Sequence, residues 1–357
     1  MKILTRFICF LLLAGFLNSC SEDFQLTEPY KDIPVIYGLL NRADTAHYIR
    51  IQKAFVDENI ASTQLAKNPD SLYYPNPTVK LVNELTKQEF LLSKVDGNLE
   101  GLVRQNGPFA TSPNYLYKIL SKDINLKGGD KITLQLLRGD GKAPVTATII
   151  LVGDISFTFP DDNTRQLKIF YESSYLFGWK HQSNTSVFDL KALVSIDELN
   201  IVTQKVETKI IEIPFAKSFP GKTGSSTNIS STKVLGSTLY NFLHDQLTVD
   251  PSIERYINKL DFYLTGGGPE IQNYLNIINA NTGITASQEI PRYTNLSEGF
   301  GIFSSAVTIK KTITLQNPTI DSLQMHPLTR DLNVKYFLFI RMYSSSFCLN
   351  ESIRCNN

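Results

Sequence analysis

The chain is predicted to be mainly β, and three observations carry that expectation. Aromatic residues make up 11% of it, with 16 Tyr and 21 Phe. They stand with β-branched residues in short runs, and several runs alternate apolar and polar positions between turn signals. "KITLQLL" is the cleanest, with Ile132, Leu134 and Leu136 on one face and Lys131, Thr133 and Gln135 on the other. A side-chain period of two makes this a strand with one buried face. "RGDG" and "VTATIILV" follow, so the spacing predicts a hairpin turned at Asp140-Gly141. The Arg138-Gly139-Asp140 tripeptide is read as turn chemistry, not as an adhesion signal.

Taken in order, the chain opens on Lys2 and Arg6 and an apolar run over residues 7–17, and reaches Ser19 and Cys20. A basic start, an apolar run too short to span a bilayer and a small residue before a break describe a secretory signal peptide over residues 1–19. Leu17-Asn18-Ser19-Cys20 resembles the bacterial lipobox, which implies that Cys20 is acylated and becomes the first residue after cleavage. Several acyl chains at about 0.8 kcal/mol per buried methylene anchor a protein durably where one chain does not. Ser21, Glu22 and Asp23 come next, and acidic residues there resemble the signal that sends Bacteroidota lipoproteins to the outer face of the outer membrane. The expected location is the outer membrane, lipid-anchored and facing the cell exterior. Residues 20–34, with Pro29 and Pro34 among polar residues, read as the lipidated tether.

Strands begin with "VIYGLL" and "HYIRIQKAFV". Several strands at this spacing predict a β-sandwich of immunoglobulin-like or transthyretin-like type over residues 35–153. Residues 57–77 form a connection of the length that is usually functional or disordered. Its Leu72, Tyr73 and Tyr74 either anchor a partner or pin the loop to its own sandwich.

Residues 154–357 are predicted to be a strand-dominated α+β domain. "QLKIFYESSYLFGWK", "IVTQKVETKIIEIPF", "GFGIFSSAVTIKKTITLQ" and "VKYFLFIRMY" read as strands. Helix signals stand at Ser237, at Asp250 with Pro251 next, and at Pro269 opening "PEIQNYLNIINA". In the last, Ile271, Tyr274, Leu275 and Ile278 share a face that should pack on the sheet. Residues 217–233, rich in Ser, Thr and Gly, read as a flexible insertion.

Lys and Arg total 35 against 34 Asp and Glu, which gives no electrostatic case for nucleic acid or an anionic membrane surface. The four histidines are scattered, so no zinc pattern exists, and neither a nucleophile elbow nor an aspartate-rich calcium loop appears. "AKSFPGKT" fits a permissive phosphate loop, but "GSSTNISS" follows where a helix would have to open. "GGGPEI" reads as a tight strand-to-helix connection. No catalytic residue, metal ligand or cofactor is therefore expected. Cys348 and Cys355 offer a disulfide outside the cytoplasm, or two free thiols. Phe170, Tyr171, Tyr175, Phe177 and Trp179 are read as core, with exposed sugar-stacking rings as the alternative. Asp-Ser/Thr-apolar triplets place Thr45, Ser71 and Ser322 in a pattern resembling Bacteroidota O-glycosylation sites.

The lipobox, "CSEDF", the segment "LKGGDKITLQLLRGDGKAPVTATIILV" and the late "YTNLSEGFGIFSS" together resemble Bacteroidota outer-membrane lipoproteins that share a domain of unknown function. These are often encoded beside TonB-dependent receptors. "SEGFGIF", with Gly299 and Gly301 among aromatics, is the most recognisable element, and by itself it predicts a bulge or a close backbone approach. The resemblance implies a non-catalytic binding or accessory subunit of an outer-membrane barrel, either a TonB-dependent transporter or a secretion machine. A stand-alone glycan-binding or adhesion lipoprotein is the alternative, with Trp179 and Tyr175 open in a groove as its sign, and a hydrolase stands third.

Overall fold

The computed structural model describes residues 33–54, 60–182, 184–221, 227–280 and 293–336. The protein is mainly β, built from several sheets whose pairing is mostly antiparallel. Its first part contains β1 (Pro34–Asn41), β2 (Ala46–Lys53), α1 (Ser62–Leu65), α2 (Pro69–Leu72), β3 (Thr78–Asn83), β4 (Glu89–Leu91), β5 (Ser93–Asp96), β6 (Tyr115–Leu120), α3 (Ser121–Ile124), β7 (Lys131–Leu137) and β8 (Val145–Ile150). There follow β9 (Ser156–Phe159), β10 (Gln166–Leu167), β11 (Ser174–Gln182), β12 (Val187–Asn200), β13 (Lys205–Pro220), β14 (Thr227–Leu235), α4 (Gly236–Gln246), β15 (Ile253–Gly267), α5 (Pro269–Ala280), β16 (Phe300–Leu315), α6 (Asn317–Met325) and β17 (Val334–Lys335).

A ten-stranded sheet runs β13-β12-β15-β16-β1-β2-β6-β5, with β10 beside β16 and β17 beside β15. A four-stranded sheet, β4-β3-β7-β8, and a three-stranded sheet, β14-β11-β9, cover parts of it. The expected hairpin is present: β7 and β8 pair antiparallel from Lys131↔Ile150 to Leu136↔Val145. Ile132, Leu134 and Leu136 face inward as their alternation requires. Thr133 is buried too, because its hydroxyl donates to Glu84 Oε1 at 2.6 Å and so has a polar partner. Arg138, beside the turn, is buried and pairs with Glu298 at 3.1 Å, which ties the hairpin to the late glycine segment.

The ten-stranded sheet crosses residue 153 through one pairing. β1 and β16 run parallel from Val35↔Phe300 to Asn41↔Ala306. Gly299 and Gly301 make this approach possible. They hold φ of +91° and +125°, and a Cβ on them would lie 2.1 Å from the Pro34 carbonyl oxygen and 1.8 Å from that of Ile36. The close backbone approach expected of "SEGFGIF" is thus a contact with β1.

Of two large hydrophobic clusters, Leu151 belongs to the first, with Leu296 and Phe303 from late in the chain, and Val152 to the second. In the first, Ile36, Ile49 and Phe303 of the large sheet meet Leu81, Leu134 and Ile149 of the four-stranded sheet. In the second, Phe262 and Phe188 of the large sheet meet Phe177 and Trp179 of β11 at ring-centroid distances of 4.8 and 5.0 Å. Leu243 of α4 and Leu323 of α6 close this cluster.

Two expectations are corrected. No helix follows Asp250: its Oδ1 accepts from the Ser252 amide and hydroxyl at 2.8 and 2.7 Å, a local turn that feeds β15. Residues 217–233 are not all insertion either, since β13 continues to Pro220 and β14 pairs with β11 from Ser174↔Leu235 to Gln182↔Thr227. Ser and Thr there serve a ladder, as when Ser230 Oγ meets His181 Nε2 at 2.9 Å.

Candidate functional site

The pleat of β1 and β2 divides their side chains between two environments. Ile36 and Leu40, with His47, Ile49 and Ile51, point into the first core. Tyr37 and Leu39, with Tyr48 and Arg50, project from the other face. The register sets Tyr37 between Arg50 of β2 and Ile302 of β16, and Leu39 beside Ser304. β6 adds Leu116 from the far side. β15 ends in Gly266-Gly267, Gly268 follows, and α5 then brings Ile271 and Tyr274 to this face.

Together these residues line an open cleft of about 440 Å³. Tyr37 and Leu39 are 48% and 47% exposed in it. Apolar side chains left half open at the centre of a rigid sheet are unusual unless something covers them. α5 covers less than its sequence predicts: Ile271, Tyr274 and Leu275 are half-buried and Ile278 is exposed.

The polar groups of the cleft are few and well held. Buried Ser304 donates to Glu270 Oε2 at 2.8 Å, fixing the first turn of α5 to β16. Tyr48 donates to Glu100 Oε2 at 2.9 Å, and Lys118 pairs with the same oxygen. Those hydrogen bonds, Lys118's first, hold the Glu100 carboxyl below its ordinary range. Arg50 Nη1 donates to Asn114 Oδ1 at 2.8 Å. Asn114 is fully buried and oriented by its own bonds to Leu102 O at 2.8 Å and Asp96 Oδ1 at 3.0 Å. Burial, then the neighbouring Arg104 cation, pulls the Arg50 guanidinium below its ordinary value; arginine nonetheless stays charged in proteins.

The residues expected as partner contacts lie elsewhere. Leu72, Tyr73 and Tyr74 are only 1%, 6% and 5% exposed. Asn68 caps α2 by accepting from the Asp70 amide, and Tyr73 donates to Pro113 O at 3.1 Å with its ring 5.1 Å from that of Tyr115. These contacts hold the connection against Pro113 and Tyr115. Trp179 is fully buried, and Tyr175 is half-buried with its hydroxyl accepting from the Phe170 amide. The pair therefore opens no sugar-stacking groove. Thr45 is exposed in the β1–β2 turn and Ser71 half-buried in α2, whereas Ser322 Oγ accepts from buried Tyr240 at 2.8 Å. Cys20, Ser21, Glu22, Asp23, Cys348 and Cys355 lie outside the described residues.

Tyr37, Leu39 and Arg50 were not singled out by their sequence. The available signal was "VIYGLL", which is apolar at both parities. Such a strand is either covered on both faces or leaves one apolar face open.

No family model and no curated protein matches the chain. Among solved structures it is similar to the C-terminal globular domain of an oligosaccharyltransferase from Pyrococcus abyssi, at 11% identity over 81% of this chain with a TM-score of 0.20. The chain spans about half of that one, 51% of its length. It is also similar to CBD12 from CALX1.2, at 10% identity over 78% of this chain and 100% of the other, with a TM-score of 0.17. Likenesses this distant carry no functional argument. Among the described residues no group of three or more His, Cys, Asp or Glu could hold a metal ion, and no helix is long and apolar enough to cross a membrane.

Proposed function

We propose that this chain is a surface-exposed, lipid-anchored lipoprotein of the outer membrane. It acts as a non-catalytic binding subunit of an outer-membrane transporter of the TonB-dependent type, or of a secretion machine. Its N-terminal region is an immunoglobulin-like or transthyretin-like sandwich, and its C-terminal region an α+β domain. The observation that carries the reading is the cleft over β1, β2, β6 and β16: apolar, half open, set on strands joined from both ends of the chain, and lined also by Tyr48, Arg50 and Ser304. Acylation at Cys20 with export directed by Ser21, Glu22 and Asp23 brings that cleft to the membrane surface. A short tether raises the effective concentration toward a barrel in the same membrane, so a modest interface suffices.

The test is co-purification. An affinity-tagged full-length chain recovered from gently solubilised membranes should bring an outer-membrane barrel with it. A chain that elutes alone and is retained on immobilised polysaccharide would replace this reading with a solitary glycan-binding one.

A further inference from the structure

We propose that the cleft takes a small, elongated ligand with an apolar body and one carboxylate, the carboxylate seated on Arg50. Arg50 is the arginine that lines this cleft, and among the described residues it meets no carboxylate. Arg42, Arg138 and Arg255 each meet a carboxylate, on Asp154, Glu298 and Glu198. Arg50 instead meets the uncharged Asn114, and the charged group acting on it is a second cation, Arg104. Among the described residues, the Arg104 side chain in turn reaches the Tyr73 hydroxyl, at 3.5 Å, and the Phe109 ring, at 4.9 Å. A half-buried guanidinium with no counter-charge among the described residues is costly unless an anion joins it. Its planar fork keeps donors beyond the one given to Asn114, and these suit a carboxylate.

The rest of the cleft defines the body. Tyr37, Leu39, Leu116, Ile271, Tyr274 and Ile302 present rings and aliphatic surface, and the volume of about 440 Å³ lies in the range of small-molecule sites. A peptide added as a strand is disfavoured. β1 pairs with both β16 and β2, and β2 with both β1 and β6, so neither presents a free edge. Apolar contact plus the Arg50 cation, the charged side chain lining the cleft, is the recognition that the proposal uses.

The proposal rests on the cleft being the binding site named above, but not on the barrel. The experiment uses the full-length chain with a medium-chain carboxylate carrying an aliphatic diazirine, the matching primary amine, and mass-spectrometric mapping of the photolabel. The carboxylate should label β1, β6 and α5, and the amine should label them far less. Arg50→Met should cut carboxylate labelling by about 10-fold to 100-fold, the loss expected of a charged hydrogen-bonded contact, and Arg50→Lys should restore part of it. Leu39→Asn, which removes apolar surface without adding charge, should lower labelling by both probes. Equal labelling by amine and carboxylate, labelling mapped to another face, or carboxylate labelling unchanged in a folded Arg50→Met chain would each overturn the proposal. If Arg50→Met fails to fold, the carboxylate-to-amine comparison on the wild type decides it. Absent labelling with a barrel still co-purifying removes this ligand class alone; specific labelling without a barrel sustains it and removes the transporter reading.

Discussion

Replacing Gly301 by Ala tests the joint that makes the cleft. Residue 301 stands at φ +125°, and a Cβ there would lie 1.8 Å from Ile36 O and 2.7 Å from Ile36 C, where real contacts essentially never fall under 3.0 Å. Both atoms belong to backbone, so β1 and β16 must part by about 1 Å. The left-handed conformation alone costs roughly 1–3 kcal/mol for a residue with a side chain. Weakening two or three bonds of the β1–β16 ladder adds about 1 kcal/mol each. The expected loss is about 3–6 kcal/mol, a large share of an ordinary domain's stability. Urea unfolding followed by circular dichroism should show it as a lower midpoint, with the emission of Trp179, the chain's single tryptophan, as a second probe. Gly141→Ala is the control: it also has positive φ, +76°, but nothing lies within 4 Å of its added Cβ, so it should cost about 1 kcal/mol. A Gly301→Ala chain as stable as Gly141→Ala would refute the β1–β16 joint.

Further expectations follow from single groups. Arg255 is almost fully buried, with Nε on Glu198 at 2.7 Å and its Nη atoms on Leu332 O and Thr248 O, both at 2.8 Å; Arg255→Met strands all three acceptors and should cost about 3–5 kcal/mol by chemical unfolding. His47 is buried, and desolvation lowers its pKa against an opposing pull from Asp44. The unfolded chain therefore binds the proton more readily, so stability should fall as pH drops through about 6.5, and His47→Gln should flatten that slope in unfolding curves measured between about pH 7.5 and 5. Metabolic labelling with a fatty-acid analogue should disappear in Cys20→Ala. Protease added to whole cells should digest the wild type and spare a chain carrying Glu22→Ala and Asp23→Ala, if those carboxylates direct export.

What the sequence disclosed was local. The alternation of "KITLQLL" located β7 and its buried face, the turn glycines located the β7–β8 hairpin, and Pro269 opened α5, because each signal lies within a few residues of its effect. Asp250 misled because an aspartate before proline starts turns as well as helices, and a bond to Ser252 decides between them. Residues 217–233 misled because composition reports solvation, whereas β14 is held by pairing with β11. Tyr73 looked like an anchor because amphipathic rings suit interfaces and loop-pinning equally, and burial alone separates the two. The cleft was hidden for a different reason. Its lining comes from strands near both ends of the chain, and the β1–β16 register that joins them depends on glycines whose partner strand no local pattern names.

The most direct test of the central claim is crosslinking in intact cells with a membrane-impermeant amine-reactive reagent, followed by mass spectrometry of the full-length chain's adducts. The account predicts crosslinks from its lysines to extracellular loops of an outer-membrane barrel, with the chain intact and lipid-anchored. Crosslinks confined to the chain itself, in cells where it is accessible to the reagent, would contradict it.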